Sequence, residues 1–201
     1  MAKDTRWRIV EAAMELFWLK GYASTSIADI LSRSQVNSGS LYHFFPGKQD
    51  VLVGVLELYR DGIGEMLLAP NWDGVVDPID KVFALLAGYR THLIVTDCTY
   101  GCPIGSLALE IHEPDPVVRE LMAANFSNWS AAIANCFEAA ADRLPKGTDR
   151  KALGEFVLTV MEGAVMQART YRDIGYFDRN IAVLRDYITI LLATEKSGSF
   201  A

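Results

Sequence analysis

One segment near the start of this chain carries polar side chains at a spacing that suits contacts with a nucleic acid. Residues 27–48 read IADILSRSQVNSGSLYHFFPGK, two short amphipathic segments around a polar turn. The second segment of such a pair is a helix whose first residues can face base edges, because the DNA major groove is wide enough to admit a helix. The side chains at those positions are Ser38, Ser40, Tyr42 and His43.

The same region offers groups that suit DNA phosphates. Lys48 supplies a positive charge, and Gly39 lacks a Cβ atom and so would let the backbone come close to DNA. Thr25 and Ser26 stand at the start of a predicted helix, whose N-terminus carries partial positive charge. The predicted DNA-binding residues are Thr25, Ser26, Ser38, Gly39, Ser40, Tyr42, His43 and Lys48.

Two helices are predicted before the polar turn. Apolar residues recur at helical spacing over residues 5–20, and Lys20-Gly21 is typical of a helix end. Ser26 with Asp29 three residues later resembles a capping box, which begins a second helix that runs to about residue 34.

A third helix follows the turn and is capped by Asn37 or Ser38. It should end at Pro46-Gly47, because proline and glycine interrupt helices. Its apolar residues sit three and four apart, so they should pack on the first two helices. They are Leu41, Phe44 and Phe45.

The rest of the chain also reads as helical. A fourth helix is predicted over residues 48–68 and a loop over 69–78, and no later segment alternates with the period of two that a strand requires. Further helices are predicted over residues 79–95, 104–112, 115–143, 150–171 and 178–193. The predicted fold class is therefore all-α, with about nine helices.

Composition excludes several classes of protein. Of the 201 residues 51% are hydrophobic and 22% are charged, which is typical of a folded chain rather than a disordered one. No apolar run approaches 18 residues, and the first residues lack the apolar region of a signal peptide. We therefore expect a cytoplasmic protein without a membrane partner, in which the three cysteines are reduced.

The charge distribution favours the DNA interpretation. The net charge is −6, but residues 1–48 carry +2 and the remainder carries −8. A modest positive excess fits a protein whose phosphate contacts are few per subunit and are doubled by dimerisation.

The order of these residues resembles the TetR/AcrR family of transcriptional repressors, over roughly residues 6–52. In that family a first helix ends in F-x-x-x-G-[YF], a T-S-[IV]-x-x-I helix follows, and then a V-[ST]-x-G-x-[LI]-Y-x-x-F-x-x-K signature. The chain departs from the pattern at Leu31, Ser34 and Gln35, and positive φ at Gln35 would cost about 1 kcal/mol. The matching residues are Phe17, Gly21-Tyr22, Thr25-Ser26-Ile27, Ile30, Val36 to Tyr42, Phe45 and Lys48.

Two further blocks look like the LmrA/YxaF-type branch of that family, which includes regulators of multidrug resistance. The first is Gly39 to His43 with Pro46-Gly47-Lys48. The second is Gly101-Cys102-Pro103 followed by Glu110.

The resemblance implies that different parts of the chain have different functions. Residues 1–48 would form the helix-turn-helix DNA-binding domain, with the connecting helix continuing to about residue 64. Residues 49–201 would bind a ligand and dimerise. The protein would be a ligand-responsive regulator, a repressor by family tendency, with no cofactor and no metal site. Since one recognition helix makes too few contacts, it should bind a palindromic operator as a homodimer and leave it when a small, largely apolar effector binds.

Apolar residues of the later helices are candidates for both tasks. The last two helices offer stripes for a dimer interface, formed by Phe156, Val160, Met161, Ala164, Ile181, Leu184, Ile188 and Leu191. Aromatic and sulfur-bearing side chains suit a flat apolar ligand with a few polar groups. The candidate ligand-binding residues are Tyr89, His92, Cys102, Phe126, Trp129, Met161 and Met166.

Other functions stay open at this point. Cys98 and Cys102 could be the sensing residues of a thiol- or redox-responsive regulator. The sequence, however, indicates no electropositive surroundings that would activate them. With His92 and His112 they match no structural zinc pattern. A small-molecule-binding protein or an enzyme without a DNA role is the other alternative, but G-x-S-x-G, phosphate-loop and H-E-x-x-H motifs are absent from the sequence. Glu110 and Glu113 with His112 are interpreted as a solvated helix end.

Overall fold

The structure is a computed structural model that describes residues 4–198, and this range contains helices and turns but no strand. It has nine α-helices of seven or more residues and one of a single turn. The all-α prediction is confirmed. The helices are α1 (Thr5–Lys20), α2 (Ile27–Ser34), α3 (Ser38–Phe44), α4 (Lys48–Ile63), α5 (Ala69–Trp72), α6 (Pro78–Val95), α7 (Pro103–Glu110), α8 (Pro116–Ala139), α9 (Arg150–Tyr171) and α10 (Gly175–Gly198).

The segment after α4 differs from the sequence-based expectation. A π-helical turn, Gly64–Leu68, interrupts the predicted fourth helix, and the predicted loop begins with the helical turn α5. Pro70 is tolerated there because the first turn of a helix needs no N–H donor. The indole of Trp72 donates to the carbonyl of Lys81 at 2.9 Å, which fixes this turn beside the start of α6.

One compact unit contains residues 4–62 and 102–125 of the described chain. In it α1, α2 and α3 bury Ile9, Ile30 and Leu41 completely. Helix α4 packs closely on this core, since a Cβ atom at Gly54 would lie 3.1 Å from Val10 Cγ2 and 3.2 Å from the Phe45 ring.

The second unit contains residues 63–101 and 126–198 of the described chain. Its core is a continuous apolar cluster contributed by α6, the second part of α8, α9 and α10. The largest fully buried side chains in this cluster are Phe137, Phe177, Leu85, Leu86, Leu93, Ile133 and Met161. Over residues 4–198, no helix has both the length and the apolar character needed to cross a membrane.

Candidate nucleic-acid interface

Helix α3 presents an exposed polar face on a buried apolar base. Asn37 caps it, because its side chain accepts from the backbone N–H of Ser40 at 2.8 Å. Leu41 and the following residue Phe45 are buried, which anchors the helix, whereas Phe44 is 37% exposed and does not join the core as predicted. The candidate base-reading residues Ser38, Gly39, Tyr42 and His43 are exposed and Ser40 is half-buried.

Helix α2 begins with the capping box that its sequence predicts. The Ser26 hydroxyl accepts from the backbone N–H of Asp29 at 3.1 Å, and the Asp29 carboxylate accepts from the backbone N–H of Ser26 at 2.9 Å. The pKa of Asp29 is lowered to about 2. The largest cause is the hydrogen bond from the Ser26 backbone N–H, followed by the hydrogen bonds from the Ser26 hydroxyl and from Lys20. The Ser26 side chain is exposed, although it is already engaged in the cap.

The turn between α2 and α3 passes through the left-handed region at Gln35, with φ 54° and ψ 40°. The guanidinium of Arg8 stabilises this strained turn by donating to the carbonyls of Ser34 at 2.6 Å and Gln35 at 3.0 Å. Sequence reasoning missed Arg8, because its partners are main-chain atoms that any residue at those positions would supply.

The turn between α1 and α2 is held by side chains predicted to contact DNA. Thr25 is fully buried, and its hydroxyl donates to the Gly21 carbonyl at 2.8 Å, so it cannot reach a phosphate as predicted. The Lys48 ammonium donates to the carbonyls of Tyr22 at 2.9 Å and Thr25 at 3.0 Å, and lies 4.3 Å from the centre of the Tyr22 ring. Two of its three N–H donors are therefore already used inside the protein.

Glu110, at the end of α7, also forms hydrogen bonds with the turn between α1 and α2. Its carboxylate accepts from the backbone N–H groups of Tyr22 at 2.8 Å and Ala23 at 2.7 Å. The interpretation of Glu110 as part of a solvated helix end is therefore wrong. The residue is half-buried, and its oxygens lie within 3.0 Å of where a Cβ atom at Gly21 would stand.

Two of the candidate ligand-binding residues that belong to the second unit are in contact. The Trp129 indole donates to the Tyr89 hydroxyl at 3.1 Å, and the two rings meet edge to face at 6.4 Å. His92, one turn beyond Tyr89 on α6, is half-buried, and this burial lowers the pKa of its imidazole, which favours the neutral form. Phe126 is also half-buried. Tyr89 and Trp129 thus form an aromatic pair, and His92 and Phe126 each lie one helical turn along the chain from one member of it.

The other candidate ligand-binding residues are placed differently. Met161 is fully buried in the apolar cluster of the second unit. Met166 is 49% exposed on the outer side of α9, so the prediction that it lines an internal pocket of the subunit is wrong. Cys102 is buried and belongs to the first unit.

Comparison with known proteins identifies both parts of the chain. Residues 9–55 match the bacterial regulatory protein family tetR, and residues 78–182 match the transcriptional regulator LmrA/YxaF-like C-terminal domain. The chain is also 31% identical over 195 residues to an uncharacterized HTH-type transcriptional regulator of Mycobacterium tuberculosis, covering 94% of each protein.

This chain belongs to the TetR family of transcriptional regulators.

Further TetR-family relatives agree in length and fold. The HTH-type transcriptional repressor DhaR of a Mycobacterium species is 24% identical over 94% of each chain. The crystal structure of a TetR transcriptional regulator from Chloroflexus aurantiacus superposes with a TM-score of 0.78 at 27% identity, covering 92% of this chain and 94% of that one. The resemblance to the LmrA/YxaF branch is confirmed, and so is the prediction that this TetR-family chain is a DNA-binding regulator rather than an enzyme.

The outer face of the last two helices of this TetR-family chain is apolar, but not at most of the predicted positions. Met161, Ala164, Leu184 and Ile188 are buried in the core of their own subunit, because the apolar stripes that they form face inward. We call five of the exposed apolar residues of α9 and α10 the outer face. They are Phe156, Met166, Val183, Tyr187 and Ile190, each at least 44% exposed.

The cysteines of this TetR-family chain are in surroundings that do not favour reactivity. Cys98, Cys102 and Cys136 are all buried and form no disulfide with one another. Burial raises the pKa of the Cys98 and Cys136 thiols, which reduces the thiolate fraction that reacts with oxidants. This observation does not favour the thiol-responsive alternative.

Proposed function

We propose that this protein is a ligand-responsive repressor that binds a palindromic operator as a homodimer and leaves it when a small, largely apolar effector binds. The observation that carries the proposal is α3, which is anchored by Leu41 while Tyr42 and His43 stand exposed beside one another. A recognition helix requires this combination of a rigid base and a free polar face. The relative DhaR, whose name describes it as a repressor, supports that direction of regulation.

The proposed DNA contacts are assigned from the exposure of each side chain to solvent. Tyr42, 53% exposed, and His43 would contact bases together with Ser38 and Ser40, and Gly39 would allow close approach of the backbone. The N-terminus of α2 at Ser26 would hold a phosphate through its N–H groups. Lys48 would reach a phosphate only through its remaining N–H donor. We assign residues 1–48 to DNA binding and residues 49–201 to sensing and dimerisation.

The outer face supports the homodimer. Phe156 packs edge to face on Tyr187 with the ring centroids 5.8 Å apart, so that the two helices share one exposed aromatic patch. At Gly163, on the same side of α9, an added Cβ atom meets nothing within 4 Å. A second copy of the chain with the same face would bury these residues, as a twofold interface requires.

The effector site is proposed around Tyr89, His92, Phe126 and Trp129. Their rings would hold a flat apolar molecule, and the Tyr89 hydroxyl and the neutral His92 imidazole would supply the few polar contacts. An effector would cause release of DNA only to the extent that it prefers the conformation that does not bind the operator.

The proposal is tested by selecting DNA that the full chain binds from a random pool and from the DNA upstream of its own gene. We expect a sequence with twofold symmetry. Tyr42→Ala and His43→Ala should each weaken operator binding by on the order of tenfold or more, since one good base contact is worth about 1–3 kcal/mol. The same labelled operator then serves to screen flat apolar compounds for release.

His112→Ala is the matched control, because His112 is an exposed histidine outside α3. It should bind the operator like the wild-type protein. Failure of the wild-type chain to select any sequence at low salt would refute the regulator proposal. Equal losses in His43→Ala and His112→Ala would refute the assignment of base reading to α3.

A further inference from the structure

The turn between α1 and α2 is held by two charged side chains from distant parts of the first unit, one bonded to its N–H groups and the other to its carbonyls. Glu110 accepts from the N–H groups of Tyr22 and Ala23, and Lys48 donates to the carbonyls of Tyr22 and Thr25. Inside the turn the Thr25 hydroxyl donates to the Gly21 carbonyl. The peptide groups of the turn are therefore fixed on both their donor and their acceptor sides.

The donor side of the turn is built for an anion. Gly21 has a φ of +85°, and the N–H groups of the next two residues point to one place, which is the arrangement by which short backbone segments bind anions. A carboxylate has two oxygens and satisfies both N–H groups. An amide has only one oxygen, and its NH₂ group would face a donor.

The position of this turn determines where α2 begins. Ser26 caps α2 only three residues after Ala23, and the cap depends on the backbone direction at that point. Movement of the turn would shift the N-terminus of α2 relative to α3, which is separately anchored by Leu41. A DNA reader needs its contact groups held to well under an ångström, so such a shift would reduce specific binding.

We propose that Glu110 is a positioning residue for operator recognition, which acts by holding the α1–α2 turn from the end of α7. The inference rests on the proposed function, because it concerns the same DNA-binding surface. Glu110 itself touches no DNA. Its carboxylate holds the backbone of the turn in place, and the turn fixes the position at which α2 begins. Together α2 and α3 form the surface that reads the operator.

The test compares Glu110→Gln and Glu110→Asp with the control Glu113→Gln in the full-length protein. Each Glu→Gln change removes one negative charge per subunit, and by general electrostatics this strengthens binding to any DNA. Glu113 is exposed, so Glu113→Gln reports that electrostatic effect alone. Affinity is measured for the selected operator and for a scrambled duplex of equal length and composition.

We expect Glu110→Gln to weaken operator binding by on the order of tenfold, the loss that corresponds to about 1.4 kcal/mol, without weakening binding to the scrambled duplex. Glu113→Gln should bind both duplexes as tightly as wild type or more tightly. Glu110→Asp keeps the charge but is one methylene too short, so it should also lose operator affinity selectively. This variant keeps the proposal testable if Glu110→Gln does not fold.

Amide hydrogen exchange supplies a readout that does not depend on DNA. In the wild-type protein the N–H groups of Tyr22 and Ala23 should exchange at least tenfold more slowly than in the Glu110 variants. The positioning role would be overturned if Glu110→Gln bound the operator like Glu113→Gln and Glu110→Asp bound it like the wild type. Unprotected Tyr22 and Ala23 amides in the wild type would also overturn it. If the wild-type chain selects no operator, the regulator proposal itself fails, and the two failures are thus distinguishable.

Discussion

At the scale of single residues, the turn of the helix-turn-helix combines strain with a compensating charge. Gln35 adopts a left-handed backbone that costs a residue with a side chain about 1 kcal/mol or more, and glycine adopts it readily. The Arg8 guanidinium donates to two carbonyls of the same turn, and hydrogen bonds from a charged donor are stronger than neutral ones. The turn therefore tolerates glutamine because Arg8 stabilises it from α1.

Replacing the strained residue should stabilise the protein. We expect Gln35→Gly to raise the free energy of unfolding by about 0.5–1 kcal/mol, because glycine relieves the left-handed strain and leaves the Arg8 contacts in place. The measurement is equilibrium unfolding in urea at fixed protein concentration. Gln49→Gly is the matched control, since Gln49 is exposed and helical, and it should lower stability by about 0.5 kcal/mol. Changes of the same sign in both variants would contradict the strain argument.

At the scale of elements, the sequence predicted some helix ends accurately and missed others. α8 ends at Ala139 rather than at residue 143, and α10 spans Gly175–Gly198 rather than residues 178–193. α1 and α9 have the predicted bounds, and the capping box of α2 is present, because these signals depend on residues within four positions of one another. The π-helical turn after α4 and the short α5 were not predicted. Their conformation is fixed by packing against later helices, as the bond from Trp72 to Lys81 illustrates.

The capping box should have a titration signature. The pKa of Asp29 in the folded state is about 2, below its ordinary value of 3.8, so its ionised form stabilises α2 above that ordinary value. This contribution is lost as the pH falls from about 4 towards 2. In a carboxyl-carbon NMR titration, Ser26→Ala should raise the Asp29 midpoint part of the way towards 3.8. The variant removes the hydrogen bond from the Ser26 hydroxyl, the second largest cause of the depression, but keeps the backbone N–H of residue 26 and Lys20.

Ser38→Ala is the control for that titration, since Ser38 opens α3 rather than α2. It should leave the Asp29 midpoint unchanged. An Asp29 midpoint near 4 in the wild-type protein would mean that the capping box does not form in solution.

At the scale of the whole molecule, the proposed dimer should be sensitive to the outer face. We expect Gly163→Trp to shift the protein from dimer to monomer in analytical ultracentrifugation at micromolar concentration, and to weaken operator binding accordingly. An added Cβ at Gly163 meets nothing within 4 Å in the single chain, so the substitution should disturb association rather than folding. Removing the second half-site reader costs the affinity that two linked contacts provide.

Gly64→Trp is the matched control, because an added Cβ there also meets nothing within 4 Å and Gly64 lies in the turn after α4. It should remain dimeric. A monomeric wild-type protein, or a dimeric Gly163→Trp with normal operator affinity, would exclude the outer face as the dimer interface.

Features that depend on local order and residue identity were predictable from the amino-acid sequence alone. Helical spacing indicated the all-α class, local signals predicted the end of α1 and the start of α2, and the pattern from Phe17 to Lys48 identified the family that the comparisons confirm. These features were readable because each depends on side chains that lie close together along the chain.

Contacts between distant parts of the chain determine which side chains hold the reading surface and which are exposed on it. Arg8, Lys48 and Glu110 bond to main-chain atoms up to 88 residues away, and main-chain partners leave no trace in residue type. The sequence also does not distinguish the two apolar faces of α9 and α10, because both faces consist of apolar residues at helical spacing. Packing buried Met161 and Leu184 in the subunit core and left Phe156 and Tyr187 exposed.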